Sequence, residues 1–167
     1  MEATAAIAPK MKLDSKLVLP FVKATMNVFT TMVKIKPEIG KPHLKDNGAT
    51  TYDVSGVIGF SGEIIGSVVV SFQLESATKL VNSLMGMEID PTSPDFADAI
   101  GEVANMIAGS AKKDLGAVAN IAVPTVVIGK GHIIGRLSGV PCVVIPCKTS
   151  VGEFAVEVNI KPTATGN

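Results

Sequence analysis

The run from Ser93 to Gly116 carries the signals of both ends of a helix with a helical hydrophobic period between them, and no other stretch constrains the fold as much. Ser93 is a good N-cap. Pro94 suits the first helical position because its missing N–H would be unpaired there anyway, and Asp95 and Asp98 put negative charge near the positive end of the helix dipole. Lys112, Lys113 and Gly116 mark the stop. At about 100° per residue, Phe96, Ile100, Val103 and Ile107 fall in a narrow arc that must face a core. Asp98, Glu102, Asn105, Gly109 and Lys112 fall close to the opposite side, so two carboxylates and a carboxamide stand toward water. Gly109 leaves a gap among them. A mid-helix glycine costs about 1 kcal/mol relative to alanine, so its place on this face reflects either indifference or close approach by something outside the helix, and close approach is the favoured reading.

The apolar stripe needs a surface to pack on, and the remaining chain supplies β structure. Thr51 to Gln73 reads as a hairpin, with strands near Tyr52–Phe60 and Ile64–Phe72 joined at Ser61-Gly62-Glu63. Val68-Val69-Val70 is too continuously apolar for a half-exposed strand, so both faces should be covered there, with helices as the cover. Thr125–Ile128, Val140–Cys147 and Phe154–Ile160 are rich in valine and isoleucine and have no helices between them, which favours antiparallel pairing. Two further helices are expected. Asp14 can cap one that carries the stripe Leu17, Phe21, Thr25, Val28 and Met32, with Pro20 either kinking it or setting the start of its regular part. Leu74–Met85 fits the other, with Ala77, Leu80, Val81 and Leu84 inward and Gly86 as its end. Ile35–Gly48 reads as a loop. The order describes an α+β, two-layer domain with long helices packed on a largely antiparallel sheet. Residues 1–11 read as a flexible N-terminal tail, 12–161 as a single domain and 162–167 as a flexible C-terminal tail.

With 167 residues, 47% of them hydrophobic, the chain can bury one real core. Its 15 basic and 15 acidic residues cancel, so neither a nucleic-acid footprint nor a polybasic membrane patch is expected. No apolar run approaches the roughly 18 residues of a membrane span, and the first ten residues lack the pattern of a secretory signal, so a cytoplasmic protein is expected. Cys142 and Cys147 are five apart in an apolar segment, point to opposite faces of a strand and read as buried free thiols.

Few stretches carry chemistry. Gly129-Lys-Gly-His-Ile-Ile-Gly135 fits neither the Walker pattern nor the dinucleotide fingerprint, and no helix follows it, so it reads as a strand connection. His132 and His43 are isolated from each other and from the cysteines, which leaves a metal site without support; His132 reads as a polar loop or strand-end residue. There is no nucleophile elbow. Glu102-x-x-Asn105 remains. Spacing alone would make it a solvated helix face, but it lies opposite the core stripe, with Asp98 one turn before, Gly109 one turn after and no Lys or Arg at i+4 to occupy Glu102. An asparagine takes no proton, yet its carboxamide can accept and donate to one water and so hold it in line for attack. Glu102 can pair with a cation on a partner. Such a pair would complete a site on another molecule.

Asp98-x-x-x-Glu102-x-x-Asn105 followed by Pro124 resembles the signature of the CheC/CheX chemotaxis phosphatase family. The likeness continues through Pro20–Met32, Ser55–Gly62, Asp98–Gly109 and Pro124–His132, and spans roughly Leu13 to Lys161. With one Glu-x-x-Asn rather than two, the chain is similar to the CheX branch. One departure is that only 18 residues separate Asn105 from Pro124, shorter than the family's usual spacing. The resemblance implies hydrolysis of the aspartyl phosphate on a CheY-like response regulator, with Asn105 orienting the water and Glu102 pairing with the regulator's lysine; Asp98, Gly109 and Lys112, which share that helix face, are expected from their placement to be partner-binding residues. It implies no cofactor in this chain, the regulator bringing the acyl phosphate and Mg2+, and a homodimer joined through sheet edges, the last strands being expected to find the partner. The competing readings are a non-catalytic module of the same fold that docks a phosphorylated regulator or a flagellar-switch partner, and a small-molecule binding domain.

Overall fold

The computed structural model describes residues 13–46, 49 and 51–164; the expected N-terminal tail lies outside them. Helix α1, Ser15–Val28, starts where Asp14 Oδ1 accepts the Lys16 backbone N–H at 3.0 Å. It runs through Pro20, whose missing N–H would have met the carbonyl of Lys16, a residue exposed to water. The helix then continues as a π-helical turn, Phe29–Val33. That turn changes the end of the expected stripe: Phe29, still placed by α-helical bonds, is buried, and the wider winding after it brings Val33 into the core and leaves Met32 57% exposed. Phe29 stacks on Phe154, ring centroids 4.4 Å apart.

Among the described residues eight strands form one sheet: β1 Glu38–Ile39, β2 His43–Leu44, β3 Val54–Gly62, β4 Ile64–Phe72, β5 Ala119–Ile121, β6 Thr125–Ile128, β7 Val143–Thr149 and β8 Gly152–Pro162. Its order is β1-β7-β8-β4-β3-β5, with β2 beside β1 on β7 and β6 beside β5 on β3, and every pair is antiparallel. The segment 35–48, expected to be a loop, thus contributes two short edge strands. The polar end begins later than expected too: Pro162 closes β8, and Thr163 donates to the carbonyls of Glu63 and Gly62.

Helices α2, Leu74–Met85, and α3, Pro94–Asp114, join α1 on one face of the sheet. That face carries Val54, Ile58, Val68, Val70, Val156, Val158 and Ile145, all in the main core cluster. Val69 is also buried, at 4%, but lies outside that cluster and points the other way. Its cover is not a helix. The irregular segment between β6 and β7 lies across this second face, which is polar and tied down by hydrogen bonds. Asn159 Oδ1 accepts the Leu137 N–H at 2.7 Å, and Asn159 Nδ2 donates to the carbonyls of Val140 and Pro141. His132 Nε2 lies 2.8 Å from Ser55 Oγ, and Lys45 Nζ reaches both oxygens of Glu157 at 2.8 Å. Burying such groups is tolerable only because each is paired.

Candidate functional site

The ends of α3 are built as the sequence reads. Ser93 Oγ accepts the Phe96 N–H at 3.4 Å, Pro94 opens the helix, Lys112 and Lys113 stand in its last turn, and Gly116 turns left-handed at φ 68°. The buried face is broader than the stripe alone. Gly101, Ala104, Ala108 and Ala111 join Phe96, Ile100, Val103 and Ile107 in the core, an arc of about 160° by helical geometry. The reason is that α3 packs on α1 on one side and on β3 on the other.

The outer face is correspondingly narrower. Asp98 and Glu102 are exposed, whereas Asn105, Gly109 and Lys112 are half-buried at the margin rather than fully in water. What borders them is the connection from β5 to β6. A Cβ at Gly101 would lie 3.3 Å from Pro124 Cβ, and one at Gly109 would lie 3.9 Å from Ile121 Cδ1. Residues 121–124 therefore run alongside the turn that carries Asn105. The short spacing from Asn105 to Pro124 suffices to finish the helix, form β5 and return to it. Nothing inside the chain requires Gly109 to lack a side chain, since 3.9 Å is an ordinary contact.

Among the described residues, neither Glu102 nor Asn105 has a side-chain hydrogen bond or ion pair, and Asp98 and Lys112 have none either. A carboxylate and a carboxamide one turn apart, offered outward without internal partners, can act only on something that docks. A cavity of about 740 Å³ lies between 44–46 and 133–142 and takes no residue from α3. No group of three or more His, Cys, Asp or Glu side chains among the described residues could hold a metal, and no helix among them is long and apolar enough to cross a membrane. Both cysteines are free and buried. Burial pushes the Cys147 thiol up to about 12 and is also the main cause raising Cys142, so both stay protonated and poor as nucleophiles. His132 is a clamp on the second face, not a ligand: its Nδ1 lies 2.6 Å from the Gly129 carbonyl oxygen while Nε2 meets Ser55. Sequence reading named Gly109 and Pro124 but did not anticipate that Ile121 and Pro124 flank this turn or that Gly101 faces Pro124; the recurrence of glycine at 101 and 109 along α3 was the available signal.

Fold and site together define an α+β domain that presents an unpartnered Glu–Asn pair on the outer face of a helix packed on an antiparallel sheet. The sequence profile of the chemotaxis phosphatase CheX family matches residues 54–148, and the chain belongs to that family. It is 33% identical over 122 residues, 71% of this chain and 79% of the relative, to the CheY-P phosphatase CheX of Thermotoga maritima. It superposes on the chemotaxis protein CheX of Desulfovibrio desulfuricans with a TM-score of 0.79 at 38% identity, covering 89% of this chain and 99% of that one. The CheX chain of a CheX–CheY–BeF3–Mg2+ complex from Borrelia burgdorferi matches with a TM-score of 0.74 at 26% identity, over 90% and 99% of the two chains.

Proposed function

We propose that this chain hydrolyses the aspartyl phosphate of a CheY-like response regulator by inserting Glu102 and Asn105 into the regulator's active site. The observation that carries this is the unpartnered pair on the outer face of α3, in a chain whose relatives include a CheY-P phosphatase and a CheX seen with CheY. Asn105 holds one water in line with phosphorus. That water forms the new P–O bond as the bond to the aspartyl oxygen breaks, releasing inorganic phosphate and the free carboxylate. Glu102 pairs with the regulator's lysine, and Asp98, Gly109 and Lys112 line the same contact. The chain holds no cofactor of its own; the regulator supplies Mg2+, which neutralises charge on the phosphoryl oxygens. With such a partner the working compartment is the cytoplasm. The protein also pairs with a second copy through a sheet edge.

Ordering one water supplies on the order of 10²-fold, enough for a phosphate already labile and held by metal. Phosphate release from phosphorylated regulator tests the reading. Asn105→Ala is expected to lower release by about 10²-fold while leaving binding to the BeF3-loaded regulator intact; a folded variant of wild-type rate would sink the mechanism. Wild-type protein that binds but releases nothing would leave only the docking module.

A further inference from the structure

Gly56 lies on β3 beneath the turn of α3 that carries the catalytic pair, and its backbone does not call for glycine, since it is absent from the positive-φ positions. Distance does. A Cβ at Gly56 would lie 2.8 Å from the Ala104 Cβ and 3.3 Å from the Ile100 carbonyl oxygen, where carbon atoms settle at about 3.5–4.0 Å. Neither neighbour can yield by rotation, because alanine has no side-chain rotamer and the Ile100 oxygen belongs to the helix backbone. Ala104 stands between Glu102 and Asn105 in sequence and is fully buried. Beneath it, β3 is fixed on both sides, Gly56 being paired with Val70 of β4 and with Val126 of β6. The helix, not the strand, must therefore move if a side chain enters.

We propose that Gly56 is a positioning residue for the dephosphorylation reaction: by having no side chain it sets the height of α3 over the sheet, and with it the reach of Glu102 and Asn105 into the regulator. The proposal rests on the phosphatase reading. Adding one methyl at Gly56 lifts α3 by on the order of 1 Å, and a displacement of that size in groups that orient a reactant can cost about 10²-fold in rate. Gly101 is a milder second seat, because a Cβ there meets Pro124 at 3.3 Å and Val126 at 3.4 Å.

Moving one methyl across the contact makes the test. Three proteins are compared, wild type, Gly56→Ala and Gly56→Ala with Ala104→Gly, by phosphate release from phosphorylated regulator, affinity for the BeF3-loaded regulator and thermal unfolding. Gly56→Ala is expected to lower kcat by about 10–100-fold, more than it raises KM. The double variant is expected to recover kcat to within about threefold of wild type while remaining less stable than wild type, because a glycine inside a helix is unfavourable. Rate following stability across the three proteins would make Gly56 merely structural and overturn the proposal, as would a Gly56→Ala protein of wild-type rate. Should Gly56→Ala not fold, the double variant decides: a kcat within about threefold of wild type in a protein still measurably less stable than wild type supports the seat, and a folded double variant whose kcat falls in step with its stability refutes it. Wild-type protein that releases no phosphate removes the phosphatase reading and this proposal with it.

Discussion

Glu102 and Lys45 are long charged side chains in opposite surroundings, and the difference decides what each is worth. Glu102 stands in water with no partner in the described chain, so it adds little to stability and its charge is available for association. Under the proposed mechanism, Glu102→Ala should weaken binding to the phosphorylated regulator at low salt and lose most of that effect at high salt, because an exposed pair is screened within about 10 Å at 0.1 M; titrations at two ionic strengths that give equal ratios would rule out its ion pair. The side chain of Lys45, by contrast, is 8% exposed and that of Glu157 7%. Removing one member strands the other charge in a poorly solvated place, so Lys45→Met should cost about 3–5 kcal/mol in urea unfolding, and Lys45→Met with Glu157→Leu should recover most of it. A single variant as stable as wild type would show that water reaches the pair. The Glu102–Asn105 pair was legible because a 21-residue helix displays it at fixed spacing. The Lys45–Glu157 pair joins residues 112 apart, and no local pattern records a contact that only folding makes.

At the scale of elements, α2 and α3 have the bounds their caps announce, since the information lies in neighbouring residues. At the end of α2, Gly86 has φ 68° and no atom within 4 Å of where a Cβ would stand. Gly86→Ala therefore meets only backbone strain, about 1–2 kcal/mol, and should lower Tm by about 2–8 °C; an unchanged Tm would show that the cap does not need the left-handed turn. The π-helical turn was not legible. The wider turn starts at Phe29, which stacks on Phe154 far along the chain, and places Val33 rather than Met32 in the core. The strands β1, β2 and β5 are two or three residues long, too short for a period of two to show, and they exist because β7 and β3 offer them edges.

For the whole molecule, strand order decides where a second copy can attach. The last strand, β8, lies between β7 and β4, and β7 is covered in turn by β1 and β2. Under the proposed pairing, the sheet edges open to a second copy are β1 with β2 and, on the opposite side, β5 with β6, where Ile128 is 46% exposed and the neighbouring Val118 70%. Sedimentation should return a mass of two chains, and Ile128→Lys should shift it toward one. A wild-type mass of one chain would dispose of the pairing, and a variant unmoved from two would place the joint elsewhere. The α+β class, the antiparallel hairpin of β3 and β4, the limits of α3 and the outward pair on it were written in the sequence, because caps, periods and turns act between residues close along the chain. Tertiary structure alone decided that the second face of the sheet is covered by a polar segment instead of a helix, and that Asn105 sits at the margin of its face. The same holds for Gly56 meeting Ala104. Each of these is set by which distant surfaces meet and how closely, and the sheet order that brings them together has no local code.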